Sequence, residues 1–217
     1  MSKQSSQGIA PSAKQTVQIA APKLRTAEFH LIGVTPFVQL RFSQKSMNAM
    51  MDKMKAGSQS KGKKVREARD FNDDFIQAQH ISTEGWNGVP AGAFRAGMIS
   101  ACRLVGFKMT LAKLSVFVEA DGFDKVDGVP LVKINGTPEP NTMAVRNATG
   151  VADIRCRPMW KEWDIKLRVK YDEDQFSLQD VSNLLTRVGA QVGLGEGRHD
   201  SRMSAGLGWG CFKLADK

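Results

Sequence analysis

The chain has 217 residues, 41% of them hydrophobic, and carries a formal net charge of +9 with a pI near 9.6. That length and apolar content suit one substantial core that folds without covalent staples. Three scattered cysteines, Cys102, Cys156 and Cys211, argue against a disulfide framework or a zinc site, and no apolar run approaches the roughly 20 residues of a membrane span, so a cytoplasmic location and no membrane partner are expected.

Residues 1–22 are rich in Ser, Gln, Ala and Lys, hold no acidic or aromatic residue, and predict a disordered tail. Two strands are expected next, over Leu24–Gly33 and Phe37–Ser43. In the second, Val38, Leu40 and Phe42 alternate with Gln39, Arg41 and Ser43, which turns Arg41 away from the core. From Gln44 to Lys55 the spacing of Met47, Met50, Met51 and Met54 predicts a helix with a methionine stripe, suited to a core or an oligomer contact. The segment Gly57–Arg69 is polar and basic and reads as a projecting loop. Between Lys45 and Arg69 stand eight Lys/Arg residues against Asp52 and Glu67. Clustered charge of this kind points to a polyanion.

A short helix is expected around Asp70–His80, where Asp70, Asp73 and Asp74 are explained by the helix dipole rather than by metal chemistry. In Gly88–Gly106, Pro90 presets the first turn of a helix that buries Phe94, Met98, Ile99, Cys102 and Val105 and leaves Arg95 and Arg103 elsewhere on its surface. Strands are expected at Leu114–Glu119, Leu131–Ile134 and Val151–Cys156. In Trp163–Tyr171, Trp163, Ile165, Leu167, Val169 and Tyr171 alternate with Asp164, Lys166, Arg168 and Lys170, giving one core face and one basic face. Ser177 and Asp180 then form a capping-box-like start to a helix carrying Leu178, Val181, Leu184, Leu185 and Val188.

The stretch Gly193–Gly210, GLGEGRHDSRMSAGLGWG, holds six glycines among Arg198, His199, Ser201, Arg202 and Ser204 and leads into a last strand over Trp209–Leu214. Glycine admits positive φ and removes the Cβ that would keep a ligand from the backbone, so such a loop can lay N–H groups against phosphate. A mobile surface loop or a tight hairpin before the last strand is the alternative reading.

Two segments resemble one family. GVPAGAFRAGMISACR (Gly88–Arg103) resembles the lead-in to the first helix of the RAMP superfamily, the RNA-binding subunits of CRISPR effectors. VGLGEGRHDSRMSAGLGWGCF (Val192–Phe212) resembles that superfamily's C-terminal Gly-rich signature. The resemblance implies an α+β fold, a ferredoxin-like (RRM-like) antiparallel sheet with backing helices and basic insertions. The expected organisation is one RAMP-like nucleic-acid-binding domain over 23–217 with a basic insertion at about 44–80. The chain is short for a CRISPR backbone subunit, and His199-Asp200 interrupts the glycine pairs, so a phage or mobile-element relative fits as well.

The function expected is non-catalytic binding of single-stranded RNA or DNA, with RNA favoured and with homo-oligomerisation along the ligand or assembly into a multisubunit ribonucleoprotein. The residues expected to contact nucleic acid are Arg41, Lys45, Lys61, Lys63, Lys64, Arg66, Arg69, Arg95, Gly195, Gly197, Arg198, Ser201, Arg202 and Gly206. No cofactor, metal or catalytic residue is assigned. The alternatives are an endoribonuclease using His199 as general acid or base and a phage structural or assembly protein.

Overall fold

The computed structural model describes residues 19–57, 69–146, 150–201 and 206–215. Strand β1 (Leu24–Gly33) has its expected bounds, and β2 (Phe37–Val38) is shorter than expected. Helix α1 (Gln44–Ala56) starts where the Ser43 hydroxyl accepts from the Ser46 N–H, and α2 (Phe71–Gln77) starts where the Asp70 carboxylate accepts from the Asn72 and Asp73 N–H groups. Strand β3 (Gly88–Pro90) feeds α3 (Ala91–Leu104), which leads to α4 (Met109–Ser115) and β4 (Val116–Glu119). Strands β5 (Gly122–Phe123) and β6 (Pro130–Lys133) precede a hairpin of β7 (Glu139–Arg146) and β8 (Ala152–Trp160). The chain closes through β9 (Asp164–Asp172), α5 (Leu178–Arg187), a π-helical turn at Val188–Val192 and β10 (Phe212–Leu214).

The fold is mixed α and β with antiparallel sheets. The main sheet has the order β10-β1-β9-β4. Strands β1 and β4 are both antiparallel to β9, and β9 and β10 are both antiparallel to β1, so β1 runs with β4 and β9 runs with β10. Helix α3 lies in the chain between β1 and β4, and α5 between β9 and β10, so each crossover skips one place that a strand of the other fills. Two three-stranded sheets, β2-β8-β7 and β3-β6-β5, complete the β structure among the described residues.

On β9, Ile165, Leu167, Val169 and Tyr171 are buried while Lys166 is exposed and Arg168 and Lys170 are half-buried. Each buried side chain contributes about 2 kcal/mol, against a few tenths for a cross-strand polar pair, so the apolar face fixes the register. Phe94, Met98 and Cys102 of α3 and Val181, Leu184 and Leu185 of α5 join the same core. Gly97 lets α3 approach the π-turn, because a Cβ there would meet the Val188 side chain.

Several expectations are corrected. Residues 39–43 are not a strand, and their burial is the reverse of the expected alternation: Gln39 and Arg41 are buried, Leu40 and Phe42 exposed. The reason is polar. Gln39 accepts from the His80 N–H and donates to the Gly88 carbonyl, while Arg41 lies 3.8 Å from Asp124 and 3.5 Å from Asp127. Residues 109–115, of which 114 and 115 were expected in a strand, are helical, and Val105 is exposed. Strand β7 was not foreseen. The methionine stripe is not part of the core: Met50, Met51 and Met54 are exposed, and α1 holds no buried residue among those described. The expected disordered tail falls largely on residues 1–18, outside the described residues.

The capping box is realised, with Asp180 N–H donating to the Ser177 hydroxyl and Ser177 N–H to the Asp180 carboxylate. Ser177→Ala should lower the unfolding free energy by about 1 kcal/mol, measured by urea denaturation.

Candidate functional site

The two segments singled out in the sequence form facing walls of one cleft of about 1050 Å³. One wall is the start of α3, with Pro90, Gly92, Ala93 and Arg95. The other is the Gly-rich loop from Val192 to Asp200. Phe37, Gln39 and Leu40 close one end, and Met109 and Lys113 of α4 contribute to the lining.

Helix α3 begins after Pro90 with no side-chain cap and no acidic residue in its first turn. Its first N–H groups lack intrahelical partners and carry the positive end of the helix dipole. Gly92 is exposed, and a Cβ built on it meets nothing within 4 Å. Nothing in the fold requires glycine there.

The loop glycines are different. Gly193, Gly195, Gly197, Gly206, Gly208 and Gly210 all have positive φ. A Cβ at Gly195 would collide with the Val38 carbonyl and the Phe37 ring, one at Gly197 with the Trp209 ring, one at Gly206 with the Arg198 carbonyl and one at Gly210 with the Leu194 carbonyl. Folding of the loop on itself and on β2 therefore explains Gly195, Gly197 and Gly206 without a ligand. Many of the loop's N–H groups are used internally: Leu194 donates to Gly210, Glu196 to Val38, Asp200 to Val192 and Leu207 to Gly197.

The arginines of the cleft are held in a particular way. Arg95 donates from Nε to the Val116 carbonyl at 3.0 Å and from a second nitrogen to the Lys113 carbonyl, and its guanidinium lies 5.4 Å from the Phe117 ring centroid. Arg198 donates to the Gly195 carbonyl at 2.9 Å. Backbone carbonyls orient these side chains; neither makes an ion pair among the described contacts, although Arg198 is near enough to Asp200 to help hold that carboxyl low.

Acidic residues tie the loop down. The Asp200 carboxylate accepts from the Ser100 hydroxyl at 2.5 Å and from Arg103 at 3.1 Å, joining the loop to α3. The Ser100 hydrogen bond, helped by Arg103, holds its carboxyl below the usual carboxylate range against the opposing effect of burial. Glu196 faces β8, where it pairs with Arg157 at 2.7 Å and Arg155 at 3.7 Å.

Of the other expected contacts, Arg41 is buried against Asp124 and Asp127 and is removed from any surface role. Lys45 is exposed on the first turn of α1. Arg69 is paired with Asp74 at 2.6 Å and Asp153 at 2.8 Å. Ser201 is the last described loop residue before Gly206. Lys61, Lys63, Lys64, Arg66 and Arg202 lie outside the described residues. Gly92, Lys113, Arg155, Arg157 and Glu196 were missed. The signal for the β8 pair was present, since Arg155 and Arg157 stand two apart in a strand and share a face.

Below the cleft, His80 Nδ1 lies 2.8 Å from Asp124 Oδ2. Burial alone would raise the Asp124 carboxyl, but the Val126 N–H, His80 and Arg41 hold it below its ordinary value. His80, Asp124 and Asp127 converge closely enough to ligate a cation, yet the Arg41 guanidinium already supplies the positive charge. A second hollow, of about 670 Å³, lies between the end of α3 and α5 on a floor that includes Cys102, Phe107, Phe176 and Leu184. Burial pushes the Cys102 thiol up, which keeps it protonated and unreactive.

Because the folded state holds the Asp200 carboxyl low, this contact stabilises at neutral pH and loses its contribution as pH falls through the folded value. Asp200→Asn should therefore melt below the native protein at neutral pH, and the gap should narrow on acidification below about pH 4, as read by thermal melts across pH.

No protein-family model matches the chain, and no curated protein matches its sequence.

Proposed function

We propose that the protein binds single-stranded nucleic acid, RNA above all, by seating its phosphate backbone in the cleft between the start of α3 and the Gly-rich loop. The observation that carries this reading is the state of the cleft's arginines. Arg95 and Arg198 are oriented by carbonyls and form no ion pair among the described contacts, Arg198 interacting with Asp200 only at longer range, and both line the same cleft as an uncapped helix N-terminus. Guanidinium forks and free N–H groups are both phosphate ligands. Lys113 adds a third cation to the lining.

The main sheet fits the same proposal. Its order, with two interleaved strand–helix–strand crossovers, supports a ferredoxin-like reading, and the meeting of the two motif segments across one cleft supports kinship with the RAMP superfamily. In that reading the basic segment between α1 and α2 is an accessory clamp and the exposed methionines of α1 are an assembly contact between copies. Among the described residues no helix is long and apolar enough to cross a membrane, and the proposed site of action is the cytoplasm.

Binding should weaken with salt, with a slope of about −0.7 in log K per log salt for each phosphate neutralised. Arg95→Gln, Lys113→Gln and Arg198→Gln should each remove about one such unit while lowering affinity for all sequences alike. A salt-independent affinity for labelled oligouridylate would overturn the proposal.

Gly92 separates ligand contact from folding. Gly92→Ala should stabilise α3 by up to about 1 kcal/mol, because the new methyl group meets nothing. Affinity should nevertheless fall several-fold, since that methyl group stands where the phosphate approaches the first turn. Unchanged affinity would exclude the helix start from the binding surface.

A further inference from the structure

Strand β8 presents Arg155 and Arg157 to the back of the Gly-rich loop, and both converge on Oε1 of Glu196, at 3.7 and 2.7 Å. Two guanidinium groups meeting at one oxygen is an arrangement that suits a phosphate oxygen as well as a carboxylate. Arg157 is only 2% exposed, and its Nε and Nη2 have no hydrogen-bond partner; nor has Oε2 of Glu196. Its guanidinium also lies 5.6 Å from the Trp209 ring centroid. A buried arginine with two unpaired donors is costly, and the pair with Glu196 satisfies only part of its capacity. Glu196 itself lines the cleft. The cleft's second carboxylate, Asp200, is fastened to Ser100 and Arg103 on α3. Arg155 also pairs with Asp153 at 3.3 Å, but of the two carboxylates only Glu196 lines the cleft, so it is the anion standing between the cleft and two further cations.

We propose that Arg155 and Arg157 form a second phosphate seat, occupied in the free protein by the Glu196 carboxylate, and that nucleic-acid binding exchanges this carboxylate for a backbone phosphodiester. The inference rests on the cleft being the nucleic-acid site. When Glu196 turns out, the phosphate oxygens take the Nη1 donor of Arg157 that it held, together with Arg155. No covalent bond changes. Because Glu196 also anchors the loop through its N–H to the Val38 carbonyl, the side chain is free to rotate while the backbone stays in place. The carboxylate then acts as a selectivity filter: weak or isolated anions do not displace it, whereas a strand already held at Arg95, Arg198 and the start of α3 delivers its next phosphate at high local concentration.

The test is binding of labelled oligouridylate to Glu196→Gln, Arg155→Gln and the double variant, each checked by thermal melting. Glu196→Gln removes the competing charge and keeps the shape of the side chain. It should tighten binding roughly 3- to 10-fold, the effect of relieving about 1 kcal/mol of competition, and make the salt slope steeper. Arg155→Gln, at a half-buried position, should make the slope shallower by about 0.7 in the native chain and should cancel the gain in the double variant. Inorganic phosphate alone should bind neither protein tightly. Equal or weaker oligonucleotide binding by a folded Glu196→Gln protein, or an Arg155→Gln protein with the native salt slope, would overturn the exchange while leaving the cleft proposal standing. Absence of oligonucleotide binding by the native chain would overturn both.

Discussion

The Gly-rich loop is sewn to the segment between β1 and β2, and the cleft exists because of that seam. Gly210 donates to the Pro36 carbonyl, Cys211 to the Thr35 hydroxyl, Val34 to the Cys211 carbonyl and Glu196 to the Val38 carbonyl. Within the loop, Leu194 donates back to Gly210. Such close backbone approach leaves no room for a Cβ at Gly195 or Gly210, and their positive φ values are open to glycine at little cost. Once the loop is fixed there, Arg198 faces the start of α3 across the cleft and Glu196 turns toward β8. The same bonds that make the loop a structural element give it the rigidity a binding wall needs.

The ion pairs along β8 extend this constraint outward. Arg69 bridges Asp74 and Asp153, Arg155 bridges Asp153 and Glu196, and Arg157 completes the row at the loop. Opposite charges alternate from α2 to the cleft. Exposed members of such a row contribute little to stability singly. Their effect is geometric: they hold α2 and the end of the basic segment against the hairpin that backs the Gly-rich loop.

What was legible in the sequence was whatever is decided locally. Strand β9 announces itself because Ile165, Leu167, Val169 and Tyr171 alternate with polar residues, and α5 because Ser177 and Asp180 sit three apart before an amphipathic run. What failed was decided by distant partners. Arg41 sits in a strand-like alternation, yet its counter-charges, Asp124 and Asp127, come from the β5–β6 connection, and they invert the segment. Strand β7 carries Pro140 and a weak alternation, and pairing with Ala152 to Met159 of β8 makes it a strand. The joining of Gly88–Arg103 with the Gly-rich loop was legible in outline. The roles of Asp200, Glu196 and Gly92 were not, since each depends on which atoms lie opposite.

Charge by itself locates nothing in a chain this basic. Arg25, Arg41, Arg69, Arg103, Arg155, Arg157 and Arg168 each face a carboxylate oxygen within ion-pair distance, so much of the formal excess is already answered inside the molecule. The informative arginines are Arg95 and Arg198, which are held by carbonyls and form no ion pair among the described contacts. A carbonyl dipole fixes a guanidinium without cancelling its charge, and a pre-oriented cation loses less entropy on meeting phosphate than a mobile surface lysine does. Helix α1 is the opposite case. It presents Lys53, Lys55, Met50, Met51 and Met54 from a helix with no buried side chain among those described, and 13 residues are about the length at which an isolated helix is only marginally stable in water. The cleft is therefore the pre-organised element of the molecule, and α1 is the element least supported by the core.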